Sequence, residues 1–386
     1  MSYRITSILS LLLAFALVGE VSAAPAGGWE KDYEKTFSES YDVNGQGSVR
    51  LENRYGEINV ETWNENKVQI DVQVRVTASS QEKADAIFNR ITINFSGGGN
   101  RATATTEIGQ RQKDGSLWDM IFGNSISINW GDNSNDFKVY YNVKMPASAS
   151  LETIAKYCDV RLPNLSGNNT TEVGYGDLVA GKLSGSNNVK ISYGSIRADE
   201  LGKTSSLRLR YSEADIHQAD VLTYDGRYSE LELGTLNRIN VDAGYEEIEI
   251  KKVTEATLRG NYNDVEIMEV DELDVDGSYS DYSIGTIFRR LRADSNYGDI
   301  DVEKIGRDFE KIDVTTRYAD VRLVMPTGRG YDVDVSARYG DVSVSGNGQL
   351  NRNKEGSSES IKGKISGTGT GRVFISTAYG DISLRQ

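Results

Sequence analysis

Residues 228–250 read YSELELGTLNRINVDAGYEEIEI and contain the unit from which most of the chain is built. A tyrosine is followed by a residue that is usually small, then by an acid and then by alternating aliphatic residues. From the second to the tenth copy the steps are 18, 18, 18, 17, 17, 17, 17 and 18 residues, and steps of 21, 21 and 40 follow. A fixed period indicates one structural unit per repeat, stacked on its neighbours. The thirteen tyrosines are Tyr55, Tyr157, Tyr175, Tyr193, Tyr211, Tyr228, Tyr245, Tyr262, Tyr279, Tyr297, Tyr318, Tyr339 and Tyr379.

Aliphatic residues alternate on both sides of each tyrosine. They occupy positions −6 and −4 before it and +3 and +5 after it, as Ile239, Val241, Ile248 and Ile250 do around Tyr245. This is the period-two pattern of strands. The aliphatic residues occupy even-numbered positions before the tyrosine and odd-numbered positions after it. In a strand, a shift of one residue moves the side chains to the opposite face. The chain is therefore predicted to bend between the tyrosine and position +3, at the small residue and the acid.

Each repeat is too short for a strand, a crossover helix and a second strand, so it is predicted to be one coil laid over the last. The predicted fold class is all-β, a right-handed parallel β-helix (solenoid) with coils of 17–21 residues and an N-terminal α+β cap region that contains one helix. Parallel connections favour right-handed winding. The tyrosines share the parity of the preceding aliphatic residues, so they are predicted to stack as a ladder inside the core.

The segments before the repeats have two different compositions. Residues 1–23 hold a basic start, a short apolar stretch and a small-residue cleavage site, which is typical of a secretory signal peptide. The protein is therefore predicted to be exported, to the periplasm or the cell surface. Residues 24–48 are polar and are predicted to be a leader.

Residues 49–150 are predicted to form the N-terminal cap region, since a solenoid needs its open end covered. Its strands are interrupted by a helix over residues 79–90, which begins at a motif like a capping box, Ser79 followed by Glu82. Residues 151–386 are predicted to be the β-solenoid. Residues 346–372, rich in Gly, Ser, Asn and Lys, are predicted to be a loop extension within it.

Charge and rare residues restrict the chemistry. The 57 acidic and 43 basic residues give a net charge of −14, which disfavours nucleic acid and anionic lipid as partners. His217 and Cys158 are the single histidine and the single cysteine, so the chain has no pair of histidines for a metal and no internal disulfide. No catalytic residue, cofactor or metal is predicted. The acids at position +2, present in twelve of the thirteen repeats, are interpreted as corner caps, with a divalent-cation site between acidic rows left open.

Residues 108–124 depart from the repeat plan because a dense apolar cluster interrupts a polar loop. The cluster either packs against the cap or the first coil, or it forms an exposed contact patch. Trp118 and Phe122 are its largest side chains and are the candidate binding residues.

Several phrases resemble the bacterial putative-adhesin family of exported β-solenoid domains. They are RYGEI at residues 54–58, RYGDV at 338–342 and YGDI at 379–382, together with Met-Pro pairs at 145–146 and 325–326. The resemblance implies an exported bacterial protein with a right-handed solenoid and no assigned catalysis. The chain departs from the more usual glycine at position +1 with Cys158, Ser212, Ser229, Glu246, Asn263, Ser280 and Ala319.

The predicted function is that of an exported, non-enzymatic, adhesin-like binding scaffold in the bacterial cell envelope, with a protein or glycan partner. Two alternatives stay open. One is a polysaccharide-active β-helix enzyme, since such enzymes work with Asp, Lys and Arg. The other is a periplasmic structural or signalling-associated protein.

Overall fold

The computed structural model describes residues 30–109 and 136–386, which form twenty-five strands and one helix. In chain order these are β1 (Lys31–Asp42), β2 (Ser48–Trp63), β3 (Lys67–Ala78), α1 (Gln81–Phe88), β4 (Ile91–Gly97), β5 (Arg101–Ile108), β6 (Phe137–Pro146), β7 (Ser150–Leu162), β8 (Asn169–Gly174), β9 (Leu178–Leu183), β10 (Asn187–Ser192), β11 (Ser195–Arg210), β12 (Glu213–Arg227), β13 (Glu230–Gly244), β14 (Glu247–Asn261), β15 (Asp264–Ser278), β16 (Asp281–Asn296), β17 (Ile300–Ile305), β18 (Lys311–Arg317), β19 (Val321–Val324), β20 (Arg329–Arg338), β21 (Val342–Val344), β22 (Gly348–Glu355), β23 (Ser358–Ile365), β24 (Thr368–Ala378) and β25 (Ile382–Arg385).

The strands wind into a parallel β-solenoid, which confirms the predicted fold class. In the middle of the stack each strand runs from position +2 of one repeat to position −1 of the next. Strand β12, for example, pairs in parallel with β13, Glu213 opposite Glu230 and Arg227 opposite Gly244. Each coil therefore has two walls, one before and one after its tyrosine.

The core is a column of small and aliphatic side chains that every coil continues. Positions +3, +5, −6, −4 and −2 are buried as the alternation predicts, and position +8 is buried as well. The sequence pattern missed position +8 because the chain turns between +5 and +8 and the period of two is lost there. In one coil the residues at these six positions are Leu231, Leu233, Leu236, Ile239, Val241 and Ala243.

Two antiparallel extensions cover the N-terminal end. Strand β2 is the first coil, and both its halves pair in parallel with β7. The hairpin β4–β5 continues one wall beyond β2, while β6, β3 and β1 continue the other. Thus residues 48–63 stack as a coil although the predicted boundaries place most of them in the cap region.

Helix α1 lies within the predicted range but is shorter. Its N-cap is Ser80, whose hydroxyl oxygen accepts a hydrogen bond from the Lys83 backbone N–H at 3.3 Å. The capping motif predicted at Ser79 is therefore wrong by one residue. Ala84 and Phe88 are its buried residues.

The segment predicted as a polar leader contains a strand. All twelve residues of β1 pair antiparallel with β3, from Lys31 opposite Ala78 to Asp42 opposite Lys67. Most side chains of β1 are exposed, so no alternation of polar and apolar residues reveals it. Its backbone hydrogen bonds, rather than burial, keep it in place.

The order of coils departs from the order of the chain near its end. Strand β24 pairs in parallel with both β18 and β20, and β25 pairs with both β19 and β21. The coil of Tyr379 therefore lies between the coils of Tyr318 and Tyr339, and the prediction that each repeat is laid over the preceding one is wrong here.

The predicted loop extension is mostly a β-hairpin. Strands β22 and β23 pair antiparallel, and β23 also pairs antiparallel with β20. The hairpin therefore covers the outer edge of the last coil, as the cap strands do at the other end. Within residues 30–109 and 136–386, no helix is long and apolar enough to cross a membrane.

Candidate functional site: the tyrosine strip

All thirteen repeat tyrosines adopt left-handed backbone dihedrals, with φ between 53° and 63°. This conformation is uncommon for residues other than glycine, and for an aromatic residue it is strained. It also turns the side chain, so that a residue expected to point inward by parity points outward. The bend predicted at the corner is thus made by the tyrosine itself.

The predicted interior ladder is therefore wrong about its location. The eleven tyrosines from Tyr175 to Tyr379 are 43–55% exposed, and none of them lies in the core. Parity predicts the direction of a side chain only where the backbone is extended, and one left-handed residue per coil is enough to reverse that direction.

The rings do stack as predicted, along the outside of the corner. Neighbouring ring centroids lie 4.7–5.2 Å apart with interplanar angles of 1–18°. We call this file of thirteen rings the tyrosine strip. Phe137 packs edge-on against Tyr55 at 5.5 Å and closes the first end. Because each ring face covers the next, the strip presents ring edges and phenol hydroxyls to solvent.

Position +1 faces the core directly behind the strip, which explains why glycine is not obligatory there. In the central coils its side chain accepts a hydrogen bond from the +1 backbone N–H of the preceding coil, at 2.9–3.1 Å. Where glycine stands at this position the coils approach too closely for a side chain, and a Cβ on Gly194 would lie 1.9 Å from the Gly176 carbonyl oxygen. The central acceptors are Ser229, Glu246, Asn263 and Ser280.

The acids at position +2 line one side of the strip and have two roles. Where the next coil carries glycine or alanine at +1, the carboxylate accepts the +2 backbone N–H of that coil, as Asp281 does from Asp299 at 2.8 Å. These acids cap the corner. In the central coils that N–H bonds to a backbone carbonyl instead, and Glu213, Glu230 and Glu247 are held by no such bond. Burial raises the pKa of Glu230, and the nearby Glu247 and Glu213 raise it further.

Arginines at position −1 line the other side of the strip in several coils. Arg210 and Arg227 each donate to an aspartate at position −3 of the next coil, Asp225 and Asp242, both at 2.8 Å. In these central coils the tyrosine strip therefore separates an acidic file from arginines that are already paired.

One carboxylate lies behind the strip, inside the solenoid. Glu246 is 4% exposed, and its two oxygens accept hydrogen bonds from the Tyr224 hydroxyl and from the Ser229 backbone N–H. Burial raises the pKa of Glu246 to about 7. This group is a titratable element of the core rather than of the surface.

The single cysteine and histidine do not form a nucleophilic pair. Cys158 is buried behind the strip, and burial raises the pKa of its thiol to about 12, so it stays protonated near neutral pH. His217 is exposed, with ring nitrogens 3.6 Å from an Asp199 oxygen and 3.8 Å from an Asp215 oxygen. Within the described residues, no group of three or more His, Cys, Asp or Glu side chains is placed to hold a metal ion.

The candidate binding residues Trp118 and Phe122 lie outside the described residues, so their role stays a prediction. The sequence does not predict the tyrosine strip as a surface, because the alternation of aliphatic residues places the rings in the core. The change of parity at each tyrosine was the available signal, since it requires one non-extended residue and hence one reversed side chain per coil.

Comparison with known proteins identifies the family. The model described as Toastrack DUF4097 matches residues 67–385. The chain belongs to the Toastrack DUF4097 family. A search of curated proteins finds no match for this Toastrack protein.

Solved structures similar to the Toastrack chain are distant in sequence. A "putative cell adhesion protein" from Clostridium sporogenes is 11% identical, with 92% of this chain and 100% of the other covered and a TM-score of 0.20. A "putative lipid binding protein" from Parabacteroides distasonis is 11% identical, with 91% and 97% covered and a TM-score of 0.24. A "putative adhesin" from the same organism is 10% identical, with 91% and 97% covered and a TM-score of 0.23. These values are too low to bear on function.

Proposed function

We propose that the protein is an exported, non-enzymatic β-solenoid that acts as an adhesin-like binding scaffold in the bacterial cell envelope. The observation that supports this most is the tyrosine strip, an unbroken file of thirteen stacked rings along one corner, eleven of which are about half exposed. Tyrosine is enriched at protein interfaces because it combines a large apolar body with a polar tip.

The shape of the strip favours an extended partner. It offers one phenol hydroxyl per coil at a repeat of about 4.8 Å, set by the strand spacing. The stacked faces are already occupied, so a partner meets ring edges and hydroxyls rather than an open aromatic platform. A glycan chain or an extended protein segment lying along the corner would contact many coils at once.

The strip is also preorganised. Each ring is held between two neighbours and by its left-handed backbone, so little side-chain entropy remains to be lost when a partner binds. The acids at position +2 on one side disfavour anionic partners at the strip and favour hydroxyl-rich or cationic ones.

An enzyme that cleaves polysaccharides has less support. Such a site needs acids and bases that converge on a cleft, whereas the strip is a convex corner whose aspartates cap the backbone. A role as a periplasmic structural or signalling-associated protein is compatible with the same fold and differs in location.

Binding of the purified full chain to bacterial envelope fragments and to a glycan array tests the proposal. We expect a variant with Asn at Tyr211, Tyr228, Tyr245 and Tyr262 to bind at least roughly tenfold more weakly, since asparagine tolerates left-handed dihedrals but cannot stack. Replacing the same four residues with Phe keeps the stack and isolates the contribution of the hydroxyls. A matched control replaces four exposed strand residues, Asn240, Thr254, Arg259 and Arg292, with Ser.

Three results would contradict the proposal. They are unchanged binding by the asparagine variant, equal loss in the serine control, and depolymerisation of acidic glycans by the wild-type chain. Surface proteolysis of intact cells separates a surface adhesin, which is cleaved, from a periplasmic protein, which survives.

A further inference from the structure

The outer face of one wall carries a polar groove near the hairpin end, where it borders the tyrosine strip at the coils of Tyr318 and Tyr339. It encloses about 660 Å³ and crosses strands β16, β18, β24, β20, β23 and β22. Its floor is a row of small hydroxyl side chains directly opposite one another on four adjacent strands. We call this row the hydroxyl trough; it consists of Thr315, Ser376, Ser336 and Ser360.

Two arginines stand along one side of the trough. Arg317 and Arg338 both lie opposite Ala378, one on each neighbouring strand. Their Cα atoms are therefore two strand spacings, about 10 Å, apart, and the small alanine leaves the space between them open. Among the described residues neither guanidinium has an ion-pair partner, unlike the −1 arginines of the central coils. Two long cationic side chains can converge there on a single anionic group.

An exposed aromatic ring stands on the other side. Phe374 lies two residues before Ser376 on the same outward face of β24 and is 43% exposed. Its neighbours across the strands, Asp313 and Asp334, are paired with Lys311 and Lys362 at 2.6 and 3.1 Å. The ring is therefore flanked by neutralised charge and has no aromatic partner among the described residues.

We propose that this groove binds a carboxylated sugar unit of a glycan. The carboxylate accepts hydrogen bonds from Arg317 and Arg338, the trough hydroxyls bond to the sugar hydroxyls, and the apolar face of the sugar packs on Phe374. Asp294 and Glu355 lie at the two ends of the groove, so a densely charged polyanion is repelled and a single acidic unit between neutral sugars fits best. The site goes beyond the proposed adhesive role and does not depend on it.

To test the groove, glucuronate, glucose and sodium sulfate are titrated separately into the full chain at low ionic strength. Binding of each probe is measured by ligand-observed NMR. We expect glucuronate to bind at least about fivefold more tightly than glucose or sulfate. Arg317→Ser and Arg338→Ser should each weaken glucuronate binding by roughly tenfold. Phe374→Ser should weaken glucuronate binding and leave sulfate unaffected.

Arg259→Ser is the matched control, because Arg259 is exposed on the outward face of the same wall in a central coil. It should leave glucuronate binding unchanged. Sulfate that binds as tightly as glucuronate overturns the proposal, as does an equal loss in the control or full binding by both groove arginine variants. The adhesion test alters Tyr211, Tyr228, Tyr245 and Tyr262, none of which lines the groove. A negative result with these probes therefore does not decide the adhesion proposal.

Discussion

A single backbone conformation, repeated at each tyrosine, determines the surface of the molecule. The left-handed dihedrals cost energy for a residue with a Cβ, on the order of 1–2 kcal/mol. Ring stacking offsets this, at about 0.5–1.5 kcal/mol for each pair. A central tyrosine such as Tyr245, with a ring on either side at 4.9 and 4.7 Å, therefore has enough stacking to balance its strain.

Substitution of Tyr245 separates the two effects. Both Tyr245→Ala and Tyr245→Gly lose the stacking, but only glycine relieves the left-handed strain, since φ is 60° here. We expect the glycine variant to be more stable than the alanine variant by about 1 kcal/mol in urea unfolding. At Thr254, exposed on β14, the order should reverse. If the Tyr245→Ala variant were more stable than Tyr245→Gly, the proposed strain at this residue would be contradicted.

The buried Glu246 gives a stability change that depends on pH. Its pKa is raised from 4.5 in an ordinary carboxyl to about 7 in the folded protein, so the folded state favours the protonated form. The stability that protonated Glu246 contributes to the folded state is fully present below pH 4.5 and is lost as the pH rises through about 7. Glu246→Gln should therefore be more stable than wild type at pH 8, by roughly 1–3 kcal/mol, and similar to it at pH 4.

Urea unfolding at both pH values checks this prediction. Glu303→Gln, exposed on β17 and outside the acidic files, is the control and should show little difference at either pH. A glutamine variant at position 246 that is less stable than wild type at pH 8 would show that the ionised carboxylate is the stabilising form.

At the scale of elements, strand β24 differs from an ordinary terminal strand because it has a parallel partner on each side. Ile375 is fully buried within it, opposite both Val314 and Val335. Ile375→Ala is expected to cost about 2–5 kcal/mol, as core truncations do. The comparison is Leu350→Ala in the hairpin strand β22, which is only partly buried and should cost less than about 1 kcal/mol.

Urea unfolding followed by limited proteolysis measures both variants. The Ile375 variant should release the whole region from β18 to β25, whereas the Leu350 variant should at most loosen the hairpin. Equal effects would mean that β24 behaves as a free end.

The sequence predicts the strands and coils better than it predicts which coils lie next to each other. The period of the tyrosines and the alternation around them predicted coils and most core positions, because both depend on local geometry. The period contains no information on which coils touch, so the insertion of the Tyr379 coil was not foreseeable. Strand β1 escaped prediction because it is held by hydrogen bonds without an apolar face. The side-chain direction predicted for the tyrosines is wrong because their backbone is left-handed rather than extended.

At the scale of the whole molecule, the net charge of −14 is concentrated in part along the acidic files. Burial raises the pKa of Glu230, and its neighbours Glu247, Glu213, Glu232 and Glu249 raise it further, which indicates repulsion across coils. Raising NaCl from about 10 to 300 mM shortens the screening length from about 30 Å to roughly 6 Å, so repulsion between acids two or more coils apart is largely screened. The urea midpoint at pH 7 should therefore rise with salt.

A double variant, Glu230→Gln with Glu247→Gln, checks the cause. It should be more stable than wild type at low salt and respond less to added NaCl. A midpoint that falls with salt would show that ion pairs such as Arg210–Asp225, rather than repulsion, dominate the electrostatics.

The interleaved coil has a consequence for biosynthesis. Tyr339 leaves the ribosome 40 residues before Tyr379, yet its backbone is ordered against the coil made afterwards. Residues 329–344 must therefore wait with one edge unsatisfied until the later segment threads into place between them and the coil of Tyr318. This end of the solenoid can therefore fold only after translation is complete. In a truncated product that lacks the Tyr379 coil, the unpaired strands would be open to proteases.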